Sequence, residues 1–248
     1  KVLLDILLTC LCPKFFIIYK KMVYEMIIIG IDPSLNSTAL TIYKDGRYTF
    51  YNYTNNKPNY KWIKEVTDCV NFQFHEYSNN DDFSESETDK IDIYDVVTDK
   101  IVNDINDIIG KRETKIFIEG YSYSAQAGRL IDLVTFSTLL RYKLHKYKNI
   151  TLYFIPPSSL KKYVAAMVYK PDKKGIYRDN NGKAGGSFDK KDMMIVLTQL
   201  NIDEFYFNYL KDRKEDLLKP KNIPKPFDDI NDSLLLCVHG QEVHKLSS

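Results

Sequence analysis

The sequence is short of cysteine, histidine and glycine, and each shortage removes a class of function. Its four cysteines, Cys10, Cys12, Cys69 and Cys237, are spread over 248 residues. They have neither the paired spacing of a zinc site nor the density of a disulfide scaffold, which points to structural thiols in a reducing compartment. The histidines, His75, His145, His239 and His244, fall into no metal-ligand spacing and no Ser-His-Asp order. Among the glycines there is no glycine-lysine loop of the kind that cradles phosphate. A clean membrane-spanning run is also missing, because the apolar stretch from Val2 to Tyr19 is interrupted by Asp5, Pro13 and Lys14. We therefore expect no membrane association. Residues 1–25 read as an N-terminal extension or a local docking helix outside the core, with Met22 and Met26 as candidate starts.

What remains is a chain with 44% hydrophobic residues, enough to bury a full core, and we read residues 26–248 as one domain with insertions at about 54–90, 169–188 and 203–226. The formal charge of +2 conceals two blocks of opposite sign. Glu76 to Asp107 carries eleven acidic and two basic residues, whereas Lys161 to Lys191 carries nine basic and three acidic ones, so the second block is the one suited to a polyanion.

Hydrophobic patterning gives the order of elements. Met26 to Asp32 is too short for a lone helix and too apolar for a half-exposed strand, which predicts a central strand covered on both faces. Thr38 to Tyr43 and Arg47 to Tyr53 are β-branched and aromatic runs joined through Asp45-Gly46, a tight-turn signal, so the first three strands form a meander. The first insertion holds a short helix around Trp62, Ile63, Val66 and Val70. Ile91 to Ile109 carries a helical stripe of Ile91, Tyr94, Val97, Ile101, Ile105 and Ile108 ended by Gly110. A strand closed by Glu119 follows, then a helix from Ala125 to Tyr147 and a third apolar strand, Thr151 to Ile155. Further helices are expected from Ser159 to Val168, from Phe188 or Asp189 to Leu200, and from Phe227 to a stop at Gly240, with His239 favoured there by the helix dipole. This order implies an α/β fold, a mixed sheet flanked by helices.

The chemistry concentrates in acids placed far apart. Asp32 and Glu119 each end a predicted strand, and Asp229 and Asp232 lie three apart on one helix face. Taken singly, Asp32 before Pro33 is a turn former, Glu119 a solvated strand end, and Asp228 and Asp229 helix-capping residues. Asp232 fits no such role, being one turn into an apolar helix. Carboxylates brought together repel unless a cation compensates them, and an all-oxygen ligand set selects Mg²⁺, with Mn²⁺ able to substitute. Two such ions roughly 3.5–4 Å apart activate water and stabilise the leaving oxygen of a phosphodiester.

Three segments, Gly30-Ile31-Asp32-Pro33-Ser34, Ile118-Glu119-Gly120-Tyr121 and Asp228-Asp229-Ile230-Asn231-Asp232-Ser233-Leu234, carry a resemblance in the same order to RuvC-type Holliday junction resolvases of the RNase H-like superfamily. Ile155-Pro156-Pro157-Ser158-Ser159-Leu160-Lys161 resembles the family's strand-then-proline segment before a basic loop. The resemblance implies an RNase H-like mixed β-sheet and a homodimer that cuts opposed strands of a four-way DNA junction during recombination or repair. It implies Asp32, Glu119, Asp229 and Asp232 as metal-binding catalytic acids, with Asp228 an ambiguous neighbour of Asp229. A family lysine near the start of the penultimate helix corresponds to Lys190 or Lys191, with Lys190 preferred as the catalytic one and Lys191 left to contact DNA. Tyr121 and Tyr123 are the aromatics placed to stack on bases, and Lys170, Lys173, Lys174, Arg178 and Lys183 the cations placed to meet phosphates. The three insertions have no counterpart in the family core.

Other readings stay open at this point. A different RNase H-like nuclease would cut flaps or RNA–DNA hybrids, and a non-catalytic scaffold would bind junctions without cutting. A sugar-kinase or actin-like ATPase also opens on a strand with Gly-Ile-Asp, but Pro33-Ser34-Leu35-Asn36 lacks the glycine such a phosphate turn needs. The cytoplasm, nucleoid or a viral replication site would each supply a reducing environment.

Overall fold

A computed structural model describes residues 26–76, 83–121, 127–200, 202 and 205–247. The expectation for residues 1–25 and the position of Tyr123 lie outside the described residues. Strand β1, Ile27–Asp32, is buried along its whole length. It pairs antiparallel with β2, Ser37–Lys44, which pairs antiparallel with β3, Arg47–Thr54. The β2–β3 turn places Asp45 at φ 52° and Gly46 at φ 84°, left-handed conformations that an Asp-Gly pair accommodates. On the other side of β1, strand β5, Thr114–Glu119, runs parallel, and β6, Ile150–Ile155, runs parallel to β5 at the open edge. A three-stranded meander continued by parallel strands beside β1 is the RNase H-like arrangement of a mixed α/β sheet.

The first insertion departs from expectation. Its helix α1 is only Lys61–Lys64, and Val70 belongs not to that helix but to β4, Val70–Phe74. This strand adds to the sheet edge parallel to β3, giving the order β4-β3-β2-β1-β5-β6. Val70-Asn71-Phe72-Gln73-Phe74 alternates apolar and polar residues, the period of a half-covered edge strand. Helix α2 then runs Phe83–Ile109, so the helix expected from Ile91 begins eight residues earlier, inside the first insertion. Its buried face carries Tyr94, Val97, Ile101, Val102, Ile105 and Ile109, whereas Ile91 is exposed.

Side-chain alternation divides the core. Ile27, Ile29 and Ile31 of β1 and Ile116 and Ile118 of β5 pack with α2 and with Phe136, Leu140 and Leu144 of α3, Ala127–His145. Each buried isoleucine contributes roughly 1.5–3 kcal/mol through apolar burial. Ile28 and Phe117 face the opposite layer, formed by α4, Pro157–Val168, α5, Lys190–Leu197, and the long α8, Phe227–Ser247. The third insertion is part of this layer. Its helices α6, Phe205–Asp212, and α7, Lys214–Leu218, bury Tyr206, Phe207, Leu210 and Leu217.

Two glycines set how closely α8 lies on the sheet. A Cβ on Gly30 would stand 1.9 Å from the Ser233 carbonyl oxygen and 2.5 Å from the Cys237 nitrogen. Gly240 does not end α8 as expected. The helix continues to Ser247, and Gly240 instead faces the Phe117 ring, where a Cβ would approach to 2.4 Å. His239 is accordingly inside the helix, packed edge-on against Tyr163 at 4.5 Å, and takes no part in a C-terminal cap. A glycine inside a helix is unfavourable by propensity, but packing overrides that when a side chain would have no room.

Gly30→Ala is expected to destabilise the chain by at least the roughly 1–3 kcal/mol typical of overpacking, because the clash is with backbone and cannot be relieved by a rotamer. Gly240→Ala meets a side chain and should cost less. Urea unfolding midpoints of the two variants check both the size and the order.

Candidate active site

Asp32 is the last residue of β1 and Glu119 the last of β5. The strands are parallel neighbours in the register Ile31 to Ile118, so these two acids emerge side by side at the same sheet end. Alternation along each strand turns them toward the α8 layer, since Ile31 and Ile118 pack on the other face. The first turns of α8 cross that end of the sheet. A contact of 2.8 Å between Thr41 Oγ1 of β2 and Ser233 Oγ of α8 ties the helix down one residue beyond Asp232.

Carboxylate oxygens of Asp32, Glu119 and Asp232 all lie within 4.8 Å of one another. Asp32, Asp229 and Asp232 are only 5%, 3% and 2% exposed, too deep for water alone to solvate their charges. Asp229 Oδ2 and Asp232 Oδ1 are buried with no hydrogen-bond partner among the described residues. Buried acceptors left open beside other carboxylates are what a cation would satisfy, and an all-oxygen donor set fits a hard divalent ion. The residues present therefore fit a metal of this kind.

Lysines balance the acids. Lys190, the first residue of α5, forms an ion pair with Asp232. Its position is secured by a capping box, in which Asp189 accepts from the Lys191 and Asp192 backbone amides while Asp192 accepts from that of Asp189 at 2.7 Å. Lys191 points elsewhere and donates to the Leu218 carbonyl at 2.7 Å. Lys183 is bound at 2.9 Å to Asp189 and also to Asp192, so it braces the start of α5. Lys170, Lys173 and Lys174 are exposed around the loop, and Arg178 pairs with Asp172 at 3.0 Å.

Tyr121 sits just past Glu119, its hydroxyl 2.8 Å from Thr138 Oγ1 and its ring 4.2 Å from the Arg141 guanidinium. Arg141 also lies over Phe154 at 4.7 Å and donates to the Glu119 carbonyl at 2.9 Å. Sequence reading missed Arg141, which looked like one more polar residue on a helix. It missed Lys225 as well. Lys225 pairs with Asp228 at 3.1 Å and with Asp229, from a Pro-Lys-Pro segment that read only as the end of the third insertion. The available signal was the spacing of three and four residues to those acids.

Burial and the neighbouring Glu119 push the Asp32 carboxyl from the ordinary 3.8 up to about 8. Burial likewise raises Asp229 to about 7, against the pull of Lys225 and with Asp228 and Asp32 adding to the rise. On Lys225 burial acts downward, but Asp229 and Asp228 outweigh it and hold the ammonium above its ordinary value.

A mixed α/β sheet with three acids meeting at its strand ends defines a class of site, one with the donors to hold a divalent ion between β1, β5 and the last helix. No protein-family model matches the chain, and no curated protein matches it. Among solved structures it is similar to that titled "T. thermophilus RuvC in complex with Holliday junction substrate", with 10% identity, 89% of this chain and 96% of that chain covered, and a TM-score of 0.46. It is also similar to "Thermus thermophilus RuvC structure", with 12% identity, the same 89% and 96% coverage, and a TM-score of 0.40.

Asp32 and Asp229 hold their protons more tightly folded than unfolded, so folding takes up protons and metal-free stability falls as pH rises from about 4 to about 8. Asp32→Asn removes part of that penalty and should raise the metal-free melting temperature at pH 8 but not at pH 4. Added Mn²⁺ should raise the wild-type melting temperature at pH 8 and have little effect on Asp32→Asn. Thermal unfolding across this range, with and without the ion, checks each sign.

Proposed function

We propose that the protein is a divalent-metal-dependent endodeoxyribonuclease that resolves four-way DNA junctions by paired phosphodiester hydrolysis. The observation that carries this reading is the meeting of Asp32, Glu119 and Asp232, from three distant segments, within 4.8 Å at the end of the sheet. Asp32, Glu119 and Asp232 would hold Mg²⁺, with Asp229 in the same acid set. When bound, the ion supplies activation of water and stabilisation of charge on the phosphodiester oxygens.

The chain's own groups account for the rest. Lys190 has a 45% exposed side chain, so it is free to turn from Asp232 toward a phosphate that enters the site, where its charge opposes the developing negative charge. Tyr121 offers an aromatic face beside the acids, supported from behind by Arg141, and Tyr123 follows it in sequence. Lys170, Lys173 and Lys174 provide a sequence-independent attraction for backbone phosphates further along the strand. Lys183 and Lys191 serve this surface by fixing the start of α5. Paired cutting requires two copies of the chain. The exposed Ile131 and Tyr142 of α3, with Phe154 on the open strand β6, offer apolar area for that assembly.

Cleavage of a labelled four-way junction, compared with linear duplex, flap and RNA–DNA hybrid in Mg²⁺ or EDTA, tests the reading. Paired symmetric nicks on the junction alone, lost in EDTA and in Asp32→Asn, are expected. Cutting confined to flaps or hybrids would move the substrate, and junction binding without cutting in Mg²⁺ would replace the enzyme with a scaffold. Lys190→Ala should slow cleavage by about 10²-fold, while Lys191→Ala should leave the chemical step nearly unchanged.

A further inference from the structure

The acids at this site are not equivalent, and the difference lies in Lys225. Asp32, Glu119 and Asp232 converge on a common point, whereas Asp229 is engaged through Oδ1 by the Lys225 ammonium, which also meets Asp228 Oδ2 at 3.1 Å. Backbone bonds hold Lys225 over the first turn of α8. Phe227 donates to the Pro224 carbonyl at 3.0 Å and Ile230 to the Pro226 carbonyl at 3.1 Å. Leaving this position would strip two carboxylates of their partner at once, one of them 3% exposed. Lys190 differs, since it serves one carboxylate and leaves only that one when it moves.

From this geometry we infer that Lys225 is a tethered cation that takes the place of a second metal ion, so that the free protein holds one divalent ion, through Asp32, Glu119 and Asp232. The inference rests on the metal-dependent reading above and concerns how many ions that site takes. Charge supports it. Five carboxylates, Asp32, Glu119, Asp228, Asp229 and Asp232, face two ammonium groups, Lys190 and Lys225, an excess of three negative charges when all are ionised. One divalent ion reduces the excess to one, and a second would reverse its sign in a largely buried site. Without Lys225 the excess is four, which two divalent ions cancel. Asp229 Oδ2, buried and without a partner among the described residues, is then the acceptor for the second ion. Lys225 is a positioning residue here, acting through Asp229 and not on substrate.

Calorimetric titration of the DNA-free protein with Mn²⁺, with free Mn²⁺ followed by electron paramagnetic resonance, tests the assignment. Wild type should bind one ion, Lys225→Met two, and the double variant Lys225→Met, Asp229→Asn one again. Asp232→Asn should weaken the wild-type ion by about tenfold or more, and Asp229→Asn should leave its affinity nearly unchanged. Two ions on wild type overturn the inference whether or not Lys225→Met folds, and leave the metal-dependent reading standing. One ion on a folded Lys225→Met removes Lys225 from the role. No Mn²⁺ binding to wild type overturns both.

Discussion

The site depends on the close contact between the last helix and the central strand. At Gly30 the backbone of α8 reaches β1 with no room for even a methyl group, and at Gly240 the same helix closes on Phe117. These two points fix both the depth and the line of α8 across the sheet. Asp232 lies one residue before Ser233, whose carbonyl makes the closest of these approaches, so its carboxylate is carried to the strand ends that bear Asp32 and Glu119. A helix held off by the bulk of an ordinary side chain would leave three separate acids where the fold has one centre.

Bringing carboxylates together in a buried place costs free energy, and the structure shows how the cost is offset. Two lysines come from outside the elements that carry the clustered acids, Lys190 from a capped helix start and Lys225 from the segment leading into α8. Both reach acids of α8, whereas Asp32 is left facing Glu119, and burial together with that neighbour drives the Asp32 carboxyl toward the protonated form. The same imbalance that lowers metal-free stability is the affinity available to a cation. Stability and ion binding are thus two readings of one arrangement.

The insertions belong to the fold rather than decorating it. The first supplies an edge strand to the sheet, and the third buries four large side chains against the layer that holds α8. Tyr206 from that segment donates to Asn231 Oδ1 at 3.0 Å, between Asp229 and Asp232 in sequence, and Leu218 takes the Lys191 ammonium. Lys191 is thereby held away from the acids, which leaves Lys190 as the lysine of α5 that meets them.

Much of this was legible residue by residue. The apolar run ending in Asp32, the Asp-Gly turn and a helix start near Phe188 or Asp189 are local signals, set by side-chain hydrophobicity and backbone preference, and they fold as they read. Val70 read as helix because a short apolar segment has no period long enough to decide, and pairing with β3 made it a strand. Gly240 read as a stop because the local preference of glycine is to end helices, but the nearby Phe117 ring gave it a different purpose. The sequence by itself determined the central strands and the helices that flank them, their order, and that Asp32 and Glu119 end strands while Asp229 and Asp232 lie in the first turns of the last helix. Only the tertiary structure decided that three of those acids share one point and that Lys190 rather than Lys191 meets the cluster. Those outcomes depend on distances between segments up to two hundred residues apart, which no local preference encodes and which packing of the helix onto the sheet sets.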